Sequence, residues 1–251
     1  MRRTILSLMA LVALSLVVVG GTASAKVVQC KPHVRCFGTK NDDRLIGTSR
    51  PDDMAGHKGD DVLKGREGND TMRGDKGRDR LLGGPGEDSL DGGAGKDVLK
   101  GGADFDRYLF NENNWGKEFI SDTPIVHTDI DTGHTVQFNL VTNNLTVNLT
   151  SGPGPEVKNA TTGSTLNWED NLIDIVVSGK GDDTVIGRAV ADKIVDPGGS
   201  DDQDTIFAGG GDDFISTFDG DGLDVVACDG GTNDKLRKHA GDMQFDCELV
   251  F

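Results

Sequence analysis

Eight nine-residue segments follow one another without a gap from Gly38 to Leu109, each with Gly at its first position and Asp at its sixth. In frame they read GTKNDDRLI, GTSRPDDMA, GHKGDDVLK, GREGNDTMR, GDKGRDRLL, GGPGEDSLD, GGAGKDVLK and GGADFDRYL. The sixth-position residues are Asp43, Asp52, Asp61, Asp70, Asp79, Asp88, Asp97 and Asp106. The eighth position is always large and apolar: Leu45, Met54, Leu63, Met72, Leu81, Leu90, Leu99 and Tyr108. A period this strict means one small structural unit stacked on copies of itself.

The unit can be read physically. Glycines at positions one, two and four suit a tight turn whose backbone visits positive φ. The last three residues suit a very short strand that sends one apolar side chain inward. Two units then close one flattened coil with a turn at each end, and successive coils stack as parallel strands. Asp43, Asp61, Asp79 and Asp97 fall in one column, and Asp52, Asp70, Asp88 and Asp106 in the other.

Such a stack is weak by itself. It buries about one apolar side chain for every nine residues ordered. Its columns of carboxylates repel, by roughly 3 kcal/mol per pair at a spacing of ~5 Å and an effective dielectric of ~20. A cation between the turns reverses that term. Carboxylate and carbonyl oxygens are hard, flexible ligands, which suit Ca²⁺ better than Mg²⁺ or a transition metal.

These residues resemble the GGxGxDxUx nonapeptide of RTX (haemolysin-type) calcium-binding repeats. The resemblance implies an all-β fold, a parallel β-roll or β-solenoid, binding several Ca²⁺ ions. It implies that Asp side chains and turn carbonyls of units i and i+2 hold one ion between them. Gly59, Gly68, Gly77, Gly86 and Gly95 keep the fourth-position glycine. The first two units carry Asn41 and Arg50 there, with Pro51 next, and the eighth carries Asp104 and Phe105. The ends of the block therefore read as caps or weak sites. The best pairs are Asp61 with Asp79, Asp79 with Asp97, and Asp70 with Asp88.

A second block is expected over 178–237. It opens with SGKGDDTVI and GRAVADKIV, continues after an insertion with GSDDQDTIF and AGGGDDFIS, then DGDGLDVVA and a degenerate DGGTNDKLR. Asp183, Asp204, Asp213 and Asp224 are its candidate ligands. Asp192 is a doubtful half-site because Ala189 and Val190 replace turn glycines, and Asp234 sits in the degenerate unit. Residues 110–177 read as a β spacer, with alternating strands at 135–140, 144–149 and 173–177. Asn143-Asn144 reads as a hairpin turn or a solenoid corner.

Residues 1–25 look like a secretory signal: Arg2 and Arg3, an apolar run from Ile5 to Val19, then Ala23-Ser24-Ala25. Cleavage there leaves no membrane span and predicts a secreted, extracellular protein. The chain has four cysteines, none of them within a nonapeptide. Cys30 and Cys36 fall in an N-terminal cap, 26–37, while Cys228 and Cys247 flank the way into a C-terminal cap, 238–251. Pairing 30–36 and 228–247 is the local choice among three connectivities. A zinc site is the rival, with poor spacing and no paired His.

Charge and missing motifs narrow the function. The chain has 26 Lys+Arg against 42 Asp+Glu, a formal net charge of −16. That balance argues against nucleic acid, whose binders are basic, and against unassisted binding to anionic membranes. His33, His57, His127, His134 and His239 form no HExxH motif, and there is no G-x-S-x-G elbow. His127 and His134 read as surface or packing residues. Trp115 and Trp168 read as spacer-core aromatics, with a sugar-stacking platform as the alternative. Asn144, Asn148 and Asn159 head N-glycosylation patterns and read as unmodified strand residues. The expectation is a calcium-binding protein with a structural or interaction role, not an enzyme, and no sequence feature specifies a protein or glycan partner. The alternatives are a polysaccharide-acting enzyme, for which Asp122, Asp129 and Asp131 form the only spacer cluster, and a cell-surface adhesin.

Overall fold

The computed structural model describes residues 25–112, 115–121, 134–138, 140–150, 156–162, 164–168, 175–197, 202–217, 223–238, 240–247 and 249–250. The signal-like segment 1–25, apart from its last residue, lies outside them, as do Asp122, Asp129, Asp131, His127 and His239.

Every regular element among the described residues is a strand, and no helix is long and apolar enough to cross a membrane. The chain passes back and forth between two sheets, one of 13 strands and one of 11. Arg44–Ile46 lies in the larger sheet, Asp53–Lys58 in the smaller, and Val62–Lys64 is back in the larger. In the larger sheet Arg44 pairs with Val62, Val62 with Arg80 and Arg80 with Val98. In the smaller, Asp53 pairs with Thr71, Thr71 with Ser89 and Ser89 with Arg107. All these pairings are parallel, so two nonapeptides make one coil, as the period predicts.

The eighth positions make the core. Leu45, Leu63, Leu81 and Leu99 line the larger sheet, Met54, Met72, Leu90 and Tyr108 the smaller, and all are buried. The turns differ from the simple expectation. In the central units the strands run on through the glycines, as in Thr71–Gly77 and Ser89–Gly95, so that Asp75 pairs with Gly93 and Gly77 with Gly95. The second and fourth positions carry the positive φ: Gly59 at +119° and Gly68 at +111°, but also Arg66 at +88° and His57 at +81°.

The spacer continues the roll. Arg107–Leu109 pairs in parallel with Thr135–Gln137, which pairs with Ile175–Val177 and through it with Lys193–Val195. Thr135–Gln137 and Leu145–Asn148 belong to different sheets, so Asn143-Asn144 is a solenoid corner and not a hairpin turn. The larger sheet receives an antiparallel meander instead of a single strand. Leu145–Asn148, Glu156–Asn159 and Thr165–Trp168 fill the gap between Lys117–Ile120 and Thr184–Ile186. The smaller sheet spans the same gap with Ile175–Val177 alone. Two extra strands lengthen one face by roughly 10 Å at about 4.8 Å each. Large aromatics fill the interior there: Phe110 lies 4.9 Å from Phe138 between ring centres, and Trp115 lies 5.4 Å from Phe138. Trp115 is 1% exposed, which removes it as a sugar-stacking platform. The side chain of Trp168 lies outside the described residues.

Disulfides close both ends, in the local pairing: Cys30 with Cys36, and Cys228 with Cys247. The first ties Val27–Gln29 of the larger sheet to Cys36–Phe37 of the smaller. The second ties the neighbouring strands Val225–Ala227 and Met243–Phe245. The cysteines are thus disulfide-bonded and hold no zinc. Both terminal segments contribute strands to both sheets, Leu249–Val250 pairing with Lys235–Lys238.

Candidate metal centre

Alternation along each short strand sends the sixth and eighth side chains inward and the seventh outward. The sixth-position aspartates of the first block are accordingly all buried, at 1–6% exposure. From Asp61 to Asp106 each Oδ1 accepts the backbone N–H of the aspartate one coil earlier, 18 residues away. Asp43 N–H donates to Asp61 at 2.6 Å, Asp61 to Asp79 at 2.7 Å and Asp79 to Asp97 at 2.6 Å. In the other column Asp52 donates to Asp70 at 2.8 Å, Asp70 to Asp88 at 2.7 Å and Asp88 to Asp106 at 2.8 Å.

The second block keeps this ladder despite its insertions. Asp183 N–H reaches Asp204 Oδ1 across 21 residues and Asp204 reaches Asp224 across 20. Asp192 N–H donates to Asp213 Oδ1 and Asp213 to Asp234 Oδ1. The insertions leave the column in register. Asp192 stands in its column, but the Arg188 guanidinium donates to its Oδ1 from Nε at 2.8 Å. That ion pair already supplies the positive charge at the half-site the sequence left doubtful.

The second oxygen divides the aspartates into two groups. Oδ2 of Asp61, Asp70, Asp79, Asp97, Asp204 and Asp213 is buried and meets no hydrogen-bond donor. At Asp43 and Asp52 the same oxygen takes the turn N–H of Thr39 or Thr48, at 2.5 and 2.6 Å. Asp183 takes the N–H of Gly179 at 2.6 Å. In the central coils that turn N–H is committed elsewhere, as where Arg66 N–H donates to the Gly83 carbonyl at 2.9 Å. A buried acceptor left without a donor is costly and calls for a partner.

Carbonyl oxygens converge on the same places. A β-carbon on Gly74 would lie 2.4 Å from Asp79 Oδ2 and 2.5 Å from the Gly92 carbonyl oxygen. On Gly83 it would lie 2.1 Å from Asp88 Oδ2 and 2.5 Å from the Gly101 oxygen. The first-position glycine is therefore required by space, because the cradle it leaves is lined with oxygen. Among the described residues no three His, Cys, Asp or Glu side chains gather at one point. A cation held here would complete its shell with main-chain carbonyls. Such an all-oxygen set fits Ca²⁺.

Electrostatics point the same way. Burial pushes the Asp61 carboxyl up to about 6, those of Asp70, Asp79, Asp183 and Asp213 to about 7, and that of Asp204 to about 8. Neighbouring aspartates in the stack add to the rise at Asp70 and Asp79. Near neutral pH these columns need a cation or protons to stay buried.

Two residues continue the columns where the nonapeptides stop, and neither is among the sequence candidates. His134 is fully buried, and its Nδ1 accepts the Asp106 N–H at 3.2 Å, the place an aspartate takes elsewhere. It is an interior residue, not a surface one. Glu118, 2% exposed, follows Asp97 in the first column, with Phe119 N–H donating to the Asp97 carbonyl. Burial, then the facing Asp97 carboxyl, pushes its own carboxyl far up. The signal was the spacing: Glu118-Phe119-Ile120 and His134-Thr135-Val136 keep the interval from polar sixth position to apolar eighth. Asp242 likewise extends the upper end, its Oδ1 accepting Asp224 N–H at 3.4 Å.

Comparison with known proteins agrees with this geometry. The family described as RTX calcium-binding nonapeptide repeat (4 copies) matches residues 37–72, 46–81, 73–108, 170–194 and 198–221. No curated protein matches the chain. With those matches in both blocks and a parallel β-solenoid built from them, the chain carries RTX calcium-binding nonapeptide repeats.

Proposed function

We propose that this is a secreted calcium-binding β-roll whose role is structural or interactive rather than catalytic, and whose folding calcium completes. The observation that carries the reading is the pair of buried Oδ2 atoms without donors at Asp61 and Asp79, each beside a glycine carbonyl cradle. Asp61, Asp70, Asp79, Asp88, Asp97 and Asp106 hold calcium in the first block with the turn carbonyls. Asp204, Asp213 and Asp224 do so in the second. Asp43, Asp52 and Asp183 are the weak positions, because a turn N–H already satisfies their Oδ2. Calcium supplies the positive charge that lets stacked carboxylates remain ionised inside the roll.

Two disulfides at the ends suit an oxidising, extracellular compartment, in keeping with the signal-like N-terminus. Titration calorimetry of the full chain tests the metal assignment. Calcium should bind at several sites with half-saturation in the range of about 10⁻⁴–10⁻³ M, and magnesium should compete poorly. Absence of calcium binding in that range, or equal binding of both ions, rejects it.

A further inference from the structure

We propose that Asp97, Glu118 and the turn at Gly92 form an additional calcium site outside the nonapeptide pattern, at the junction of the first repeat block with the spacer. It rests on the calcium reading of the repeats and extends it to a residue that no repeat contains. In the coils below, a fixed oxygen lies over each first-position glycine. A β-carbon on Gly56 would lie 3.0 Å from the Gly74 carbonyl oxygen, and one on Gly74 would lie 2.5 Å from that of Gly92. Over Gly92 the carbonyl is replaced. The chain above has no glycine in register there, since Gly116 bridges to Gly95 instead. The oxygen nearest a β-carbon on Gly92 is Glu118 Oε2 at 2.6 Å, followed by Asp97 Oδ2 at 2.9 Å.

The side chain thus restores the oxygen that the main chain no longer provides, and Glu118 has the extra methylene an aspartate would lack. Both Glu118 carboxylate oxygens and Asp97 Oδ2 are buried, and apart from each other these two carboxyls meet no hydrogen-bond partner there. Two carboxyls facing each other in a dry interior cannot both be ionised without something positive between them. Carboxylate oxygens alone select a hard divalent cation, and a flexible all-oxygen set suits calcium. Lys117–Ile120 pairs with Val98 and Leu99 on one side and with Thr165–Trp168 on the other. An ion on Glu118 therefore clamps the repeat block to the antiparallel meander, making the order of the spacer depend on calcium.

The test counts calcium bound by the full chain in equilibrium dialysis. Glu118→Gln keeps the shape and removes the charge. It should bind one calcium fewer than the wild type, while Glu67→Gln, at an exposed turn position, should bind the same number as the wild type. Far-UV circular dichroism at saturating calcium checks that Glu118→Gln keeps its β spectrum. Should that variant fail to fold, crystals of the wild-type chain grown in calcium decide, through anomalous density between Asp97 and Glu118. An unchanged calcium count in Glu118→Gln overturns the proposal. So does density beside Asp61 and Asp79 with none at Glu118, since the pair then shares a proton. Density nowhere along the column overturns the repeat assignment and this site together.

Discussion

The backbone N–H of Asp79 donates to Asp97 Oδ1 at 2.6 Å, across one complete coil of 18 residues. Asp79 itself accepts the N–H of Asp61 at 2.7 Å. One residue thus joins three coils, and its Oδ2 faces the cradle at Gly74. Asp79→Ala leaves the Asp61 N–H without its acceptor, worth about 1–3 kcal/mol, and removes a ligand shared by two calcium positions. It should weaken calcium-induced folding far more than Asp52→Ala, whose Oδ2 is already bonded to Thr48. Asp79→Asn, which keeps an Oδ1 acceptor, should fall between them. Calorimetric titration of the variants checks this order, and equal losses at Asp79 and Asp52 would contradict it.

Acidity should act on the calcium-free chain in the direction of folding. Burial raises the Asp70, Asp79, Asp183 and Asp213 carboxyls to about 7, against about 4 in an unfolded chain. A group raised on folding contributes its stability at low pH and loses it as pH climbs through the folded value. In excess chelator the melting temperature should therefore be higher at about pH 5.5, inside that interval, than at about pH 7, its upper edge. In calcium the order should reverse, because the ion competes with those protons. A chelated protein with the same melting temperature at both pH values would remove protonation from the account.

Much of this was legible because three positions of the nonapeptide have separate physical duties. Gly74 leaves room for oxygens, Asp79 supplies one, and Leu81 fills the core. The columns followed directly from that period. Glu118 and His134 were missed because the side-chain identity changes while the inward position persists. The coil carrying His134 is also 28 residues long from aspartate to histidine, so counting loses the frame. The strands Glu156–Asn159 and Thr165–Trp168 were invisible for another reason. Their antiparallel pairing is set by which neighbours the larger sheet offers, Lys117–Ile120 and Thr184–Ile186, and no local pattern encodes that. The ranking of sites had a partial signal. Arg50 and Pro51 mark the second unit as irregular, but the capture of Asp52 Oδ2 by the Thr48 N–H requires the turn geometry.

Arg66 holds a left-handed backbone at φ +88° in a place where Gly84, one coil on, has +131°. A non-glycine residue there costs about 1–2 kcal/mol. Arg66→Gly should stabilise the calcium-loaded protein by about 1 kcal/mol against denaturant, net of the added chain entropy. Gly84→Ala should do the reverse and more, since its β-carbon would lie 1.8 Å from the Arg66 carbonyl oxygen. Denaturant melts of the two variants give the signs, and a destabilised Arg66→Gly would contradict the strain argument.

The two disulfides should govern fraying. A solenoid opens from its ends, where each coil has one neighbour, and closing the Cys228–Cys247 loop is worth about 3 kcal/mol in the chain-entropy model. Limited proteolysis after reduction should cut first near Cys36 and Cys228, with Gly65 to Lys100 protected while calcium is present. Simultaneous loss of protection along the whole chain would mean that the array unfolds as one cooperative unit.

The central claim is that calcium completes the roll, and far-UV circular dichroism of the full chain with its disulfides intact tests it most directly. At pH 8 in excess chelator the spectrum should be largely disordered, and it should become a β spectrum as calcium rises through about 10⁻⁴–10⁻³ M. Equal magnesium should produce much less change. A full β spectrum in chelator, unaltered by calcium, would contradict the account.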